Sequence, residues 1–207
     1  PADGSPLTVR LDGAGLMDCV YAGLETAGSI RPTLLAMDAA CKGGYQPLAP
    51  MLEEYLGSSQ GASWGMRLAV WCNEELPFEK PSRILHPAGV PKELKGFVQA
   101  AVPLEALDAW PQGHPDAKEN APVSSAVPIL ITSGEFDPDT PGKWARAAMA
   151  HLPGARILVF PGMSHAPLFT HPEAARVMKA FFDHPGRAPE PGMIREVPAF
   201  LLSGLAP

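Results

Sequence analysis

The sequence predicts an α/β fold in which helices cover a parallel sheet, and two observations lead to it. Short apolar segments at 128–133 and 155–160 are separated by a helical pattern at 141–152, which is typical of a βαβ unit. Residues 7–57 show helical periodicity without a strand pattern. We therefore expect a parallel sheet in the C-terminal part and a small all-helical lobe before it.

Three helices are predicted within 7–57. Asp12 is a candidate N-cap for the first helix, whose apolar stripe repeats at four-residue intervals: Leu16, Val20 and Leu24. The second pattern, Pro32–Cys41, ends at Gly43 and Gly44, which are typical of a helix stop. The third runs from Pro47 to Leu56 and ends at Gly57.

The following segments alternate between strand and helix patterns. Met66–Cys72 is short, apolar and β-prone, which predicts a strand buried on both faces. Prolines, 25 in the whole chain, break up residues 79–126, where helical patterns remain near 92–102 and 104–110. A final helix is predicted at 172–183.

Composition excludes several classes of protein. A hydrophobic content of 46% with 18% charged residues is ordinary for a globular chain and argues against disorder. The net charge of −6 and the absence of a Lys/Arg run argue against nucleic-acid binding. No apolar stretch reaches the ~18 residues of a membrane span, so we expect no membrane partner.

The three cysteines indicate neither a metal site nor a complete disulfide set. Cys19, Cys41 and Cys72 show no CxxC pair and no histidine at ligand spacing, so we expect no metal and no cofactor. Cys19 and Cys41 could pair across two helices. Three buried structural thiols are the alternative that we favour.

Asp137 and His165 are the candidate catalytic residues. Each follows the carboxyl end of a predicted parallel strand, and α/β sheets bind their ligands at that edge. A carboxylate at 137 could accept the Nδ1–H of a histidine and orient its ring. The structural alternative for Asp137 is a helix N-cap, but Asp139 and Thr140 suit that role better because Pro141 follows them directly.

The residues around this pair resemble a known family. GEFDPDTP at 134–141, HLPGAR at 151–156 and PGMSHAP at 161–167 resemble the C-terminal end of α/β-hydrolases, most closely the proline iminopeptidase and tripeptidyl-aminopeptidase branch. Trp64–Pro77 resembles a second block of that branch, which follows a helical cap. The resemblance is strong at 64–78 and 127–167.

This resemblance implies roles and boundaries. The chain would be the C-terminal part of an α/β-hydrolase sheet with a helical cap lobe: a cap (lid) at 1–63 and core at 64–207, with a Pro-rich connection at 77–127. Asp137 would be the triad acid and His165 the general base. Glu74 and Glu75 would bind the free α-amino group of a substrate, because a partly desolvated ammonium needs a paired anion; the alternative for both is a solvated loop.

The resemblance also concerns a disulfide and the compartment of the protein. Relatives often carry a cysteine, able to pair with the equivalent of Cys72, at the position of Leu107, so here we expect Cys72 to be a buried thiol. Related proteins are often exported, which slightly favours a secreted or periplasmic location, but the compartment stays open.

The nucleophile of such an enzyme is not evident. Gly61-Ala62-Ser63-Trp64-Gly65 fits G-x-S-x-G, but the nucleophile elbow needs a strand before the serine and a helix after it. A helix end precedes Ser63 and a predicted strand follows it, so we reject Ser63. We expect about 200 residues of a typical family member, including the nucleophile, to lie on a missing N-terminal segment or a partner chain.

The sequence therefore predicts a serine hydrolase that cleaves a peptide bond, releasing an N-terminal residue or short peptide, or an ester bond through an acyl-enzyme. A carboxylesterase of the same fold is one alternative. A non-catalytic C-terminal fragment that complements a partner chain is the other. The expected partners are a small peptide or ester substrate and the N-terminal fragment of the same hydrolase.

Overall fold

The structure is a computed structural model that describes residues 5, 8–58, 63–86, 88–100, 104–190 and 192–197. The chain divides into two compact units. The first unit comprises Pro1–Val20 and Glu54–Asn120, and the second comprises Tyr21–Glu53 and Ala121–Pro207. The predicted division at residue 63 stays a prediction.

The helices predicted within 7–57 are present. They are α1 (Gly13–Leu24), α2 (Ala27–Cys41) and α3 (Ala49–Ser58), with a short 3₁₀ turn at Gln46–Leu48. The Asp12 carboxylate accepts the backbone N–H of Gly15 at 2.9 Å, which confirms its capping role at α1. Beyond α2, Gly43 takes a φ of 85°, a conformation in which glycine ends helices without strain.

The prediction of a strand at Met66–Cys72 was wrong. This segment forms α4 (Trp64–Val70), which continues into one π-helical stretch, Trp71–Glu75, and a 3₁₀ turn, Leu76–Phe78. The Arg67 guanidinium lies 5.6 Å from the Trp64 ring and 4.8 Å from the Trp71 ring. These residues share one face only in a helix, so their cation–π contacts favour the helical form.

Short helices follow in the Pro-broken region. They are α5 (Pro81–Leu85), α6 (Lys95–Ala100) and α7 (Leu104–Ala109), with 3₁₀ turns at Lys92–Leu94 and Ala117–Asn120. The helical patterns predicted near 92–102 and 104–110 are therefore confirmed.

The second unit contains the predicted βαβ arrangement. β1 (Ile129–Gly134) and β2 (Ala155–Phe160) are parallel and pair in register from Ile129 opposite Ala155 to Gly134 opposite Phe160. The connection contains α8 (Gly142–Met149). A short helix, α9 (Pro167–Thr170), and an amphipathic one, α10 (Ala174–Asp183), follow β2. The predicted strands and α10 lie within two residues of the observed ones, and α8 ends three residues before the predicted end at 152.

The core of the second unit lies on one face of the two strands. Phe160, Met163 and Val177 are buried together, which brings the end of β2, the loop after it and α10 into contact. Partly buried apolar side chains from both strands, α2, α9 and the C-terminal segment pack around them: Ala27, Leu130, Leu158, Leu168, Met193 and Ile194. This packing fixes the position of the loop that follows β2.

The described residues form a partial α/β fold with a single two-stranded parallel sheet; the larger α/β-hydrolase sheet stays a prediction. The helical cap lobe stays a prediction. Within the described ranges, no helix is both long and apolar enough to span a bilayer.

The cysteines differ from the prediction at one position. Cys19 and Cys72 are buried, but Cys41 is exposed, so the expectation of three buried thiols was wrong. All three are free, and the possible Cys19–Cys41 pair is not formed. The Cys72 thiol lies 3.7 Å from the backbone carbonyl of Leu107, and both residues are buried.

Candidate functional site

The structure brings Asp137 and His165 together at the carboxyl edge of the sheet. Asp137 lies three residues after β1 and His165 five residues after β2. Because the strands are parallel neighbours, their following loops meet at one edge. The His165 Nδ1 atom lies 3.1 Å from each carboxylate oxygen of Asp137. The two residues therefore have the spacing of a carboxylate that orients an imidazole.

Hydrogen bonds between the two loops hold this geometry. The backbone N–H of Glu135 donates to the carbonyl of Phe160 at 3.1 Å, and that of Phe136 donates to Met163 at 2.9 Å. The Glu135 carboxylate accepts the backbone N–H of Gly162 at 2.8 Å. These bonds fix the loop that carries Asp137 against the loop that carries His165.

Gly134 lets the loops approach each other closely. A Cβ atom at this position would overlap the backbone carbonyl of Ser164. Only glycine leaves this space free. The glycine at the end of β1 is thus a packing requirement of the site.

The loop after β2 is also anchored to the turn between α1 and α2. The backbone N–H of His165 donates to the carbonyl of Glu25 at 3.0 Å. The Ser164 hydroxyl is fully buried and donates to the carbonyl of Leu24. Ala166 has a φ of 50°, in the left-handed region. A non-glycine residue in that region costs about 1 kcal/mol or more, which the anchoring bonds of the two preceding residues, Ser164 and His165, offset.

Asp137 is buried and surrounded by donors. Its Oδ1 atom accepts the backbone N–H groups of Asp139 and Thr140 at 2.9 and 2.8 Å, and its Oδ2 atom accepts the Thr140 hydroxyl at 2.7 Å. Burial by itself raises the pKa of Asp137, but the bonds from Thr140, His165 and Asp139 outweigh it, so the pKa is lowered. The carboxylate is therefore ionised at neutral pH.

Thr140 and Asp139 belong to the site rather than to the start of α8, which corrects the N-cap prediction. The N-cap of α8 is Pro141, without a side-chain cap. The signal that sequence reasoning missed is the spacing itself, since an Asp commonly accepts N–H groups two and three positions later. The Asp-x-Asp-Thr order therefore organises the loop around Asp137.

His165 presents its second nitrogen outward. Its side chain is 37% exposed, whereas that of Asp137 is 2% exposed. The Nε2 atom lies 3.7 Å from Oδ2 of Asp139. With Nδ1–H donated to the ionised Asp137, Nε2 is the nitrogen that can accept a proton from a reactant. In the described ranges, no three His, Cys, Asp or Glu side chains are grouped to hold a metal ion.

Glu74 and Glu75 lie in the first unit, outside the Asp137–His165 pair. Both are exposed and belong to the π-helical stretch Trp71–Glu75. π-helical turns are rare in proteins, and those that occur often lie at functional sites. Their role in binding an amino group stays a prediction.

Ser63 immediately precedes α4 and is exposed. A helix therefore follows Ser63, contrary to the predicted strand, and one half of the elbow requirement is met. The other half is not met in the described residues, because the nearest described element before Ser63 is the helix α3.

The comparisons with known proteins found a match to an α/β-hydrolase family. Residues 98–194, slightly less than half of the chain, match the family model described as TAP-like protein, one of the abhydrolase families. The matched range contains Asp137 and His165 and begins after Ser63, Glu74 and Glu75. No curated protein matches the chain, and no solved structure does. The match supports an α/β-hydrolase family and a hydrolytic enzyme.

Proposed function

We propose that this chain supplies the acid and the base of a serine hydrolase that cleaves a peptide or ester bond through an acyl-enzyme. The observation that carries the proposal is the Asp137–His165 pair, with Nδ1 3.1 Å from the carboxylate and Nε2 directed away from it. A buried, ionised carboxylate beside a partly exposed imidazole is the arrangement that general-base catalysis needs.

The proposed mechanism assigns one task to each side chain. Asp137 holds the proton on Nδ1 and stabilises the imidazolium that forms during the reaction. His165 takes the hydroxyl proton of the nucleophile at Nε2 as the serine oxygen attacks the carbonyl carbon. It then gives that proton to the leaving amine or alcohol. Water, activated in the same way, hydrolyses the acyl-enzyme and regenerates the serine.

The nucleophile is proposed to lie on another stretch of polypeptide, either an N-terminal segment of the same hydrolase or a partner chain. The helix α3 before Ser63 supports this proposal, because an elbow needs a strand there. The chain would then complement the polypeptide that carries the serine.

The proposed substrate is a short peptide with a free N-terminus, and Glu74 and Glu75 are candidate anchors for its amino group. Their exposure on a π-helical stretch supports this role. A carboxylesterase would use the same acid and base, so the choice between amide and ester is an outcome of the experiment rather than of the pair itself.

A fluorophosphonate probe tests the proposal. The chain is incubated with the probe alone and together with the polypeptide encoded immediately before it, and the labelled peptides are identified by mass spectrometry. We expect the label on a serine of the added polypeptide, and we expect His165→Ala to abolish it. His151→Ala, which changes an exposed histidine two residues after α8, is the matched control and should leave labelling intact.

Two other results would change the assignment. Labelling of the chain alone at Ser63, abolished by Ser63→Ala, would make Ser63 the nucleophile. The absence of labelling in every combination would contradict a serine hydrolase. Where labelling occurs, an aminoacyl amide and the matching ester then decide between peptidase and esterase.

A further inference from the structure

Ser164 is linked to both candidate catalytic residues. It directly precedes His165 in the loop after β2, and its hydroxyl oxygen lies 3.4 Å from the carbonyl oxygen of Phe136, the residue before Asp137. The same hydroxyl donates to the carbonyl of Leu24, the last residue of α1. One hydroxyl group therefore contacts three segments: the loop of the acid, the loop of the base and the end of α1.

The loop of the base caps the end of α1. The last four carbonyl groups of an α-helix have no partner within the helix. The carbonyl of Leu24 accepts the Ser164 hydroxyl, and the carbonyl of the next residue, Glu25, accepts the backbone N–H of His165 at 3.0 Å. Two consecutive residues of the loop thus bind two consecutive carbonyls, and His165 is one of the two.

The Ser164 hydroxyl cannot be replaced without movement of the loop. Ser164 has no accessible surface, so water does not reach its position in the folded chain. Without the hydroxyl, the carbonyl of Leu24 would lose its donor, and a buried acceptor without a donor is costly. The loop would have to shift to satisfy it, and His165, the next residue, would shift as well.

We propose that Ser164 is a positioning residue of the reaction: its hydroxyl fastens the base loop to the end of α1 and thereby holds His165 at bonding distance from Asp137. The inference rests on the proposed function. A general base must lie within about 2.6–3.2 Å of the group whose proton it takes. A small displacement of the His165 ring is therefore enough to slow the reaction.

This inference gives the turn between α1 and α2 a part in the reaction. The turn acts through its backbone carbonyls, which receive the loop of the base. A Cβ atom at Gly23 would overlap the Oγ1 atom of Thr33, so α1 and α2 pack closely just before the turn. The packing of the two helices therefore holds the carbonyls to which Ser164 and His165 are bound.

The Nδ1–H proton resonance of His165 tests the inference on the chain by itself. Ser164→Ala removes the hydroxyl, and Ser164→Cys keeps a weaker donor. Ser133→Ala is the matched control, because Ser133 is also a buried serine of the second unit and donates to the carbonyl of the next residue, Gly134, at 3.2 Å. We expect the resonance to move upfield in Ser164→Ala as the bond to Asp137 lengthens, to move less in Ser164→Cys and to stay unchanged in Ser133→Ala.

The rate of fluorophosphonate labelling measures the consequence for the reaction. The polypeptide encoded immediately before the chain is added, and the stability of each variant is measured by urea unfolding. Ser164→Ala should slow labelling about tenfold to a hundredfold, the effect of misplacing a reacting group by about 1 Å. Ser133→Ala should label at the wild-type rate. Slower labelling in Ser164→Ala alone, at a similar loss of stability in both variants, separates positioning from a general loss of stability.

Three results would overturn the inference. They are an unchanged His165 resonance in folded Ser164→Ala, an equal change in Ser133→Ala, and labelling of Ser164→Ala at the wild-type rate. If Ser164→Ala does not fold, Ser164→Cys takes its place, and a wild-type resonance in that variant would overturn the inference as well.

The outcome is separable from that of the proposed function. A moved His165 resonance in Ser164→Ala, without labelling in any combination, would retain the role of Ser164 in holding the His165–Asp137 contact and contradict the hydrolase. Labelling that needs His165 but is unaffected by Ser164→Ala would retain the hydrolase and contradict the positioning role.

Discussion

Thr140 shows how a single residue can control the state of the site. Its backbone N–H and its hydroxyl both donate to Asp137, one to each carboxylate oxygen. Its hydroxyl oxygen also lies 3.5 Å from Nδ1 of His165. Thr140 therefore acts on the base through the acid, and we regard it as a positioning residue.

Removing the Thr140 hydroxyl should raise the pKa of Asp137 toward the ordinary value. Thr140→Val deletes one donor to the carboxylate and keeps the β-branched shape, whereas Thr140→Ser keeps the hydroxyl and is the control. Loss of a bond to a charged group costs about 1–3 kcal/mol of stability at neutral pH. The ¹³C shift of the Asp137 carboxyl carbon, followed against pH, measures the effect; equal titration in wild type and Thr140→Val would contradict it.

The same substitution has a signed pH dependence. The pKa of Asp137 is lowered in the folded chain, so its contribution to stability is present above the ordinary value for aspartate. That contribution is lost as the pH falls through the lowered value. The stability difference between wild type and Thr140→Val should therefore be largest near pH 7 and shrink in acid.

At the scale of elements, the contact between the end of β1 and the loop after β2 sets the distance between the two loops of the site. Gly134 is the last residue of β1, and the backbone of Ser164 occupies the space in which a side chain would lie. Two loops that each start from a strand end are thereby brought within bonding distance.

Gly134→Ala should separate Asp137 from His165. The new methyl group forces the loop after β2 away from β1, and we expect the free energy of unfolding to fall by about 1–3 kcal/mol, as in other overpacked buried positions. Gly28→Ala is the control, because a Cβ at Gly28 in α2 meets no atom within 4 Å. That control should be neutral or slightly stabilising, since alanine is the better helix former.

Urea unfolding measures the stability of both variants, and the ring resonances of His165 report its contact with Asp137. A Gly134→Ala protein as stable as wild type, with unchanged His165 resonances, would contradict this role of the glycine.

The element scale also shows what the sequence could predict. β1, α8, β2 and α10 were predictable because apolar period and flanking Pro or Gly agree at each boundary. The segment Met66–Cys72 was not, since a short apolar run fits a strand and a helix equally well. The contacts of Arg67 with Trp64 and Trp71 favour the helix, and Arg67 is the one charged residue of that run, so the apolar pattern did not indicate them.

The residues of the site also fall into those that the sequence could predict and those that it could not. Asp137 and His165 could be paired from sequence, because each follows a parallel strand and the carboxyl ends of such strands meet. The donors to Asp137 could not, because the N-cap rule gave Thr140 and Asp139 to α8 instead. Which residue caps a helix depends on the path of the loop, and packing between Gly134 and Ser164 determines that path.

At the scale of the whole molecule, the ionisable groups with a lowered pKa and those with a raised pKa lie in different units. Among the described residues, the carboxylates with a lowered pKa, Asp137, Glu173 and Asp183, belong to the second unit. The groups with a raised pKa, Cys19 and Tyr55, belong to the first, and burial is the main cause for both. Protonation of these carboxylates in acid should therefore reduce the stability of the second unit. Ionisation of Cys19 and Tyr55 in alkali should reduce the stability of the first.

Among these groups, Glu173 has the largest change in pKa. The backbone N–H groups of Arg195 and Glu196 donate to its Oε2 atom at 2.6 and 3.1 Å, and Arg176 pairs with Oε1. Bonds from Arg195 and Glu196 and the charge of Arg176 lower its pKa to about 2. The carboxylate thus ties the C-terminal segment 193–197 to the start of α10.

Glu173→Gln should weaken this tie and flatten the acid side of the stability curve. The folded pKa of Glu173 lies below the unfolded value, so its contribution is complete above about pH 4.5 and is lost as the pH falls toward 2. Wild type should therefore lose stability over this interval, and the variant, already less stable at pH 7, should lose less. Urea midpoints measured from pH 7 to pH 2.5 give both curves. Glu190→Gln removes an exposed carboxylate near the same segment and should follow wild type; parallel curves for wild type and Glu173→Gln would show that Glu173 does not couple protonation to the attachment of the C-terminal segment.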